Sequence, residues 1–579
     1  MSKDPIIIER DVEVPMRDGT VLTADVYRRA EGRWPTLVNR TPYGRSPYPD
    51  NFVLLNPVFA AENGFAVVVQ DVRGRGGSGG GYRPFDESED GYDTVQWAAS
   101  QPWSTGRVGS FGSSYMAATA LQAATAGPPA LSAFAALQAS SDYYEGRSYW
   151  GGALELGSLV SVSLAAIGSA TMARLEYSDE TRRIRASYKQ TLEGLGSVPV
   201  SFPLAARFGG ENGALRRLTP WFYDWLAHDQ RDEYWDRLSL ERNYPRTTAA
   251  GLHVTSWFDA MKDGALRNYL GLVNGAGSER ARRDQQLVIG PWHHFGQRGY
   301  EATTVGEVSF GLAAARNIDQ LQLRWFRQHL DDAGPAGGDG PGQSPVKIFV
   351  MGTNVWRDEA AWPLARAVER RLFLASDGNA ASSGEDGRLG WESPSQAGVD
   401  EFDYDPRYPV PTMGGAHLLL ATIAPHGPVD QRAIEQRPDV AVYTSAELSE
   451  PLEVTGDVAV ELWVSTTAVS TDFTARLVDV HPDGRAISVC DGIRRLAPDA
   501  SPGAADVRRV RINLGATSQA FLPGHRIRLD VSSSNFPRYD PNPNTGRRSL
   551  DAPHSVVARQ RILSGPQRPS SLVLPVVAP

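Results

Sequence analysis

The stretch that decides the fold is Gly106-Arg-Val-Gly-Ser-Phe-Gly-Ser-Ser-Tyr-Met-Ala-Ala118, in which a short apolar strand runs into glycine, then serine, then small residues suited to a helix. This is the pattern of a nucleophile elbow, a sharp strand-to-helix turn that lifts one serine hydroxyl above a parallel sheet. The turn strains the serine backbone, and a bulky side chain two positions before it would clash with the incoming helix. Three serines compete. Ser114 has Gly112 two positions before it, whereas Ser113 has Phe111 and Ser110 has Val108. Two positions after Ser114 stands Met116 rather than glycine, with Ala117 next, so the match to G-x-S-x-G is partial. The competing bland reading is that Ser113 and Ser114 cap a helix.

Working outward, the run Val12–Arg28 reads as a hairpin turned at Asp18-Gly19. Apolar strands PTLVNR, GFAVVVQDV and LSAFAAL flank the elbow, each followed by loop chemistry. Short, continuously apolar strands alternating with helices indicate a parallel sheet covered on both faces. From about Ser141 to Arg242 the strand signal gives way to helical, glycine-interrupted, aromatic-rich sequence, which reads as an inserted cap. Strands resume with GLHVTS and QQLVIG, and a helix is expected over NIDQLQLRWFRQHLDD. A Gly/Pro-rich run, DDAGPAGGDGPGQSP, marks an exposed connection before VKIFVMG. Beyond Asn354, short alternating strands separated by turns predict an antiparallel β-sandwich or jelly roll, with Asp483-Gly484 at a hairpin turn. The expected organisation is thus an α/β-hydrolase core (1–140 and 243–353) carrying a helical cap (141–242) and a C-terminal jelly roll (354–579).

Each strand-end loop after the elbow carries a candidate partner. GLHVTS is followed by WFDAMKD, offering Asp259 or Asp263, and QQLVIG by PWHH, offering His293 or His294. Serine, acid and histidine appear in the chain order of this fold, which turns a weak tetrapeptide into a candidate triad.

Composition narrows the rest. The chain has 579 residues, 41% of them hydrophobic, which calls for more than one core. A net charge of -9 without basic runs argues against nucleic acid and for small neutral or modestly charged substrates. No stretch resembles a membrane span, and the start, MSKDPIIIER, lacks a signal-peptide pattern, so a cytoplasmic location is expected. The single cysteine, Cys490, permits no internal disulfide and reads as a buried packing residue. The glycine run DVRGRGGSGGGY lacks the Lys-Ser/Thr ending of a P-loop and the spacing of a dinucleotide site, and reads as a strand-to-helix loop. His417, His426, His481 and His525 form no ligand spacing, so neither metal nor cofactor is expected.

The elbow GSFGSSYMA, the acid loop SWFDAM and the histidine loop GPWHH together resemble the CocE/NonD hydrolases, which are related to the X-Pro dipeptidyl peptidase (S15) family. The likeness extends from VPMRDGTVL through TPYG and QDVRG to FTARLVDVHPDGRAI and LPGHRIRLDVSSSNFPRYD, nearly the whole chain. It implies the three-part architecture above. It also implies Ser114 as nucleophile, Asp259 rather than Asp263 as orienting acid, and His294 rather than His293 as base. The oxyanion hole it implies combines the Tyr115 backbone N–H with the Tyr43 hydroxyl. Substrate is expected against Tyr149, Trp150 and Met261, with Tyr143 and Tyr144 as further candidates. The family's α-amino-ester branch binds a free amine through acids two and three positions beyond the triad aspartate. Here Met261 and Lys262 stand there, so a cation is expected where an ammonium needs an anion. The remaining choice is a carboxylesterase acting on a bulky, partly aromatic small-molecule ester. Its rivals are a biosynthetic acyltransferase or lactone-forming enzyme with the same triad, an amide-cleaving member, and a non-catalytic carbohydrate-binding protein. A homodimer is compatible with this reading.

Overall fold

Continuous apolar runs form the centre of the molecule because strands covered on both faces have no solvated side. In the computed structural model, which describes residues 5–45, 55–208, 215–297, 302–331, 344–381, 386–498 and 506–578, ten such strands make one sheet. They are β1 (Ile6–Pro15), β2 (Val21–Arg29), β3 (Trp34–Thr41), β4 (Ala66–Asp71), β5 (Ser104–Ser113), β6 (Leu131–Leu137), β7 (Ala250–Phe258), β8 (Gln285–His293), β9 (Val346–Val350) and β10 (Val355–Glu359). Their order is β1-β2-β4-β3-β5-β6-β7-β8-β9-β10. From β4 to β9 every neighbouring pair is parallel, while β1, β2 and β10 join antiparallel. All six residues of β4 and all nine of β7 are buried, as two covered faces require. The hairpin at Asp18-Gly19 is present, with Gly19 N–H donating to the Met16 carbonyl.

β10 corrects one expected boundary. Val355–Glu359 lies beyond Asn354, yet it pairs with β9 along five residues and extends the hydrolase sheet, so the turn after Met351 is a hairpin of the core. The Gly/Pro-rich connection, 332–343, lies outside the described residues. Among the described residues no helix is long and apolar enough to cross a membrane.

Between β6 and β7 the chain is mainly short helices, of which the longest is Asp179–Gly194, and it also holds a two-stranded ribbon, Tyr149–Trp150 with Ala153–Leu154. The cap shares one apolar cluster with its neighbours. Leu156, Leu164, Trp221 and Trp225 pack with Phe85 and Tyr115 of the core and with Leu419, Phe536 and Leu550 of the C-terminal domain. Buried ions add to this junction: Arg538 donates to Asp491 at 2.7 Å, and its guanidinium lies 3.5 Å from Glu155 of the cap.

The C-terminal domain is a large β structure. Among the described residues its strand ladders are antiparallel apart from Gly387–Gly390 with Ala441–Ser445, which run parallel. Asp472–Val480 and Ala486–Arg495 flank the Asp483-Gly484 turn. Cys490 is buried here, and burial pushes its thiol up to about 12, as suits a packing residue.

Candidate active site

Strand β5 ends at Ser113 and the helix Tyr115–Ala126 begins two residues later. Ser114 sits between them at φ 58°, ψ −122°, a conformation that L residues avoid unless their surroundings impose it. Those surroundings are visible: the Ser114 N–H donates to Leu137 at 2.9 Å, and its carbonyl accepts the Ala118 N–H. Gly112 is required by packing, since a Cβ there would lie 2.4 Å from the Met116 carbonyl carbon. Met116 and Ala117 are fully buried against β5, and the missing Cβ at Gly112, which would lie 2.5 Å from the Met116 Cβ, leaves room for a methionine where the motif prefers glycine.

β7 delivers the acid. After Phe258 the chain turns, with Asp259 N–H donating to Ser256 and Lys262 N–H to the Asp259 carbonyl. The carboxylate is 1% exposed, and its Oδ1 accepts the Met261 N–H at 2.8 Å. β8 delivers the histidines, and a register shift against β7 between Gly290 and His293 re-aims the strand end. His294 Nδ1 lies 2.9 Å from Asp259 Oδ1, and its Nε2 lies 2.9 Å from Ser114 Oγ. Asp263 and His293 are not part of this relay. His293 stacks on His426 with ring centroids 4.9 Å apart, and burial pushes its imidazole down to about 4.

Tyr43 and Tyr115 both line a small pocket that contains Ser114. Their rings meet edge to face at 6.3 Å. Burial pushes the Tyr43 phenol up from its ordinary value, so it stays a neutral O–H donor. The Tyr115 N–H belongs to the first helical turn, whose donors have no carbonyl within the helix to satisfy them. The Tyr115 side chain is anchored behind the pocket, where its hydroxyl donates to Glu87 and accepts from the Phe85 N–H.

Three expected pocket residues part company. Met261 lines the pocket, its sulfur 2.9 Å from the Ser140 hydroxyl. Tyr149 and Trp150 do not. Tyr149 stacks on Tyr144 at 4.8 Å and donates to the Trp225 carbonyl, while Trp150 packs against Ala153, Ile493 and Tyr539 of the cap and C-terminal domain. Helical-cap aromatics bury themselves against whatever apolar surface is adjacent, and for these two that surface is not the serine's pocket. The aromatic wall there is Phe85, stacked on Tyr115 at 4.4 Å and on Tyr143 at 4.2 Å.

Lys262 is also displaced from its expected role. It begins the helix Lys262–Gly275, and its ammonium is turned away to donate to the Trp257 and Ala516 carbonyls. The cation on the pocket wall is Arg147 of the cap.

A residue that sequence reasoning missed is Gln138, which follows β6. Its amide nitrogen donates to the Ser256 hydroxyl and to the His293 carbonyl, both at 3.2 Å, and its oxygen accepts from Ser113 at 3.4 Å. One side chain thus ties together the elbow, the acid strand and the histidine loop. The available signal was faint: a polar residue immediately after a mostly apolar strand, Leu131–Leu137, beside the elbow.

The glycine loop after β4 is already filled by an anion. Asp71 Oδ2 accepts the Gly77 N–H at 2.9 Å, and a Cβ on Gly76 would lie 1.8 Å from that oxygen. Elsewhere, histidines without ligand spacing in sequence meet in space: His525 Nδ1 lies 2.7 Å from Asp479 Oδ1, with His481 beside it. The Asp479 carboxylate also accepts from Gln519 at 3.0 Å.

A family model for the X-Pro dipeptidyl-peptidase (S15 family) matches residues 18–296, and one for the X-Pro dipeptidyl-peptidase C-terminal non-catalytic domain matches 342–573. The cocaine esterase of Rhodococcus sp. (strain MB1 Bresler) is 38% identical, the alignment covering 98% of each chain. A solved α-amino acid ester hydrolase is 26% identical with a TM-score of 0.79, covering 100% of this chain and 98% of its own. A CocE/NonD family hydrolase from Staphylococcus aureus shares the fold at 18% identity and a TM-score of 0.69, covering 99% and 94%. The chain belongs to the CocE/NonD hydrolases of the X-Pro dipeptidyl-peptidase (S15) family and is a serine hydrolase.

Proposed function

We propose that this protein is a carboxylesterase that hydrolyses a bulky, partly aromatic small-molecule ester through an acyl-enzyme on Ser114. The observation that carries this reading is the unbroken relay at 2.9 Å and 2.9 Å from Ser114 Oγ through His294 to Asp259. Asp259 accepting from Nδ1–H leaves Nε2 as the base facing the serine. His294 takes the Ser114 proton as Oγ attacks the ester carbonyl, and Asp259 stabilises the imidazolium that forms. The developing oxyanion is met by the Tyr43 hydroxyl and the Tyr115 N–H, a good donor of this kind being worth about 3 kcal/mol. His294 then returns the proton to the leaving alcohol, and water, activated by the same base, releases the acid.

The aromatic stack of Phe85, Tyr115 and Tyr143 supports a bulky, partly aromatic substrate. Two of the relatives, cocaine esterase and the α-amino acid ester hydrolase, are named for esters. The test is Ser114→Ala against the wild type on p-nitrophenyl esters of graded acyl length, together with labelling by a fluorophosphonate. Both turnover and labelling should vanish in the variant, and retention of either overturns the assignment.

A further inference from the structure

Twelve described residues line the pocket that holds Ser114, and eleven of them carry no formal charge: tyrosines, serines, a glutamine and apolar side chains. The twelfth is Arg147. It sits in a tight turn of the cap, pinned by Gly146 N–H donating to Tyr149 and Ser148 N–H donating to Tyr144. The residue is 4% exposed, so its guanidinium has left bulk water almost completely.

Among the described residues that guanidinium has no hydrogen-bond or ion-pair partner. Its Nη1 is fully buried and unsatisfied. The strongest influence of opposite sign is Glu155, but that carboxylate is committed elsewhere, 3.5 Å from Arg538 and accepting from Ser158 at 2.9 Å. What touches Arg147 is aromatic: the Phe85 and Trp225 rings, with centroids 5.9 and 5.7 Å from its Cζ. Such faces steady a cation and orient its plane, but they do not satisfy its N–H groups. Arginine does not escape by losing its proton. A buried cation without a counter-ion is costly, and buried polar groups left unpaired in a native fold call for an explanation. On the wall of an active-site pocket, a ligand that brings the missing anion supplies one.

Taking Ser114 as the acylated residue, we infer that Arg147 binds a carboxylate on the substrate, so that the esters this site selects are carboxylate-bearing, such as monoesters of dicarboxylic acids. The planar fork of a guanidinium matches a carboxylate through two parallel hydrogen bonds. Phe85, whose ring lies 5.9 Å from the Arg147 Cζ, stacks on Tyr115 of the elbow at 4.4 Å, so one apolar aromatic surface joins the cation to the elbow. An ammonium group is rejected by the same charge.

The experiment compares matched esters: 4-nitrophenyl hydrogen adipate with 4-nitrophenyl methyl adipate, and 4-carboxyphenyl hexanoate with its methyl ester. The first pair places the anion in the acyl half and the second in the alcohol half. In the wild type at least one acid should exceed its neutral partner in kcat/KM by about ten-fold or more, mainly through KM. Arg147→Gln should bring that ratio to about one or below, and Arg147→Lys should restore part of it. Neutral esters matching or beating both acids in the wild type, or a ratio that survives Arg147→Gln, overturns the proposal.

Fluorophosphonate labelling of Ser114 reports whether the variant has kept its site. Where it has not, calorimetry on the wild type decides, since adipate should bind at least about ten-fold more tightly than adipamide and equal binding counts against Arg147. That measurement reads the Arg147 subsite even in a protein whose Ser114 is never acylated, so failure of the esterase reading and failure of this one remain distinguishable.

Discussion

Replacing Gln138 by leucine removes a side chain that joins the loops carrying Ser114, Asp259 and His294. Leucine is about one methylene larger and opens no cavity, so the main loss is one of hydrogen bonding. Three bonds are lost, to the Ser256 hydroxyl, the His293 carbonyl and the Ser113 hydroxyl, at about 1 kcal/mol net for each. The His293 carbonyl then lacks its side-chain donor, and Gln138 and its surroundings exclude water. A total destabilisation of about 3 kcal/mol follows. Because His293 immediately precedes the base, part of that energy reappears as a misplaced imidazole. If about half is felt at the His294–Ser114 contact, kcat falls roughly ten-fold, 1.4 kcal/mol being a factor of ten. Thermal melting, kcat and KM on one activated ester measure all of this, the loss falling on kcat rather than KM. A lower Tm with kcat within about two-fold of wild type would show that Gln138 is merely structural and refute the reasoning.

Glu87 accepts from Tyr115 in a fully enclosed site, and burial raises its carboxyl to about 8 from the ordinary 4.5. A raised folded-state value means that the native state holds a proton the unfolded chain has lost, so this contribution is present below about 4.5 and disappears as pH rises through about 8. Glu87→Gln should therefore gain Tm relative to the wild type as pH is taken from 5 to 8, and a difference independent of pH in that window would count against it. Lys262→Met leaves two backbone carbonyls without their ammonium donor and should cost about 2 kcal/mol in a denaturant or thermal melt. It should not alter the ratio of acidic to neutral ester hydrolysis. A changed ratio would return Lys262 to the pocket.

What was legible in the sequence was whatever is encoded within one turn of chain. The elbow announces itself because Gly112, Ser114 and the small helix residues must all lie within a few positions of the strained turn. The core strands do so because burial on both faces demands uninterrupted apolar runs. The distinction between Asp259 and Asp263, or between His293 and His294, is finer. Adjacent residues on a strand end point in different directions, and the bulge at Gly290–His293 that sets which imidazole faces the serine leaves no local mark. Arg147 was invisible, and Gln138 nearly so, for a related reason. Each is a polar residue whose meaning lies in what it fails to find, or finds, on segments far away in the chain. Aromatic content likewise predicted that the cap would bury its rings but not against what, so of the four cap aromatics expected at the pocket Tyr143 lines it, while Tyr149 and Trp150 pack elsewhere and Phe85 stands there instead. Lys262 shows the same limit for charge: three residues from Asp259 in sequence, it faces the opposite way because a helix begins at it.

The pocket draws on all three parts of the chain, and this explains why its selectivity resists a reading from any one of them. Tyr43, Ser114, Tyr115 and Gln138 come from the core, Tyr143, Arg147 and Val162 from the cap, and Leu418 from the C-terminal domain. Leu418 is held by its own N–H donating to Ser158 of the cap, and its neighbour Leu419 lies in the cap's apolar cluster. The C-terminal domain supplies no member of the serine relay, yet through Leu418 and the Arg538–Glu155 contact it fixes the cap segment that carries Arg147. Glu155 is thereby engaged by Arg538 at 3.5 Å and by the Ser158 hydroxyl at 2.9 Å, while the Arg147 guanidinium makes no ion pair among the described residues.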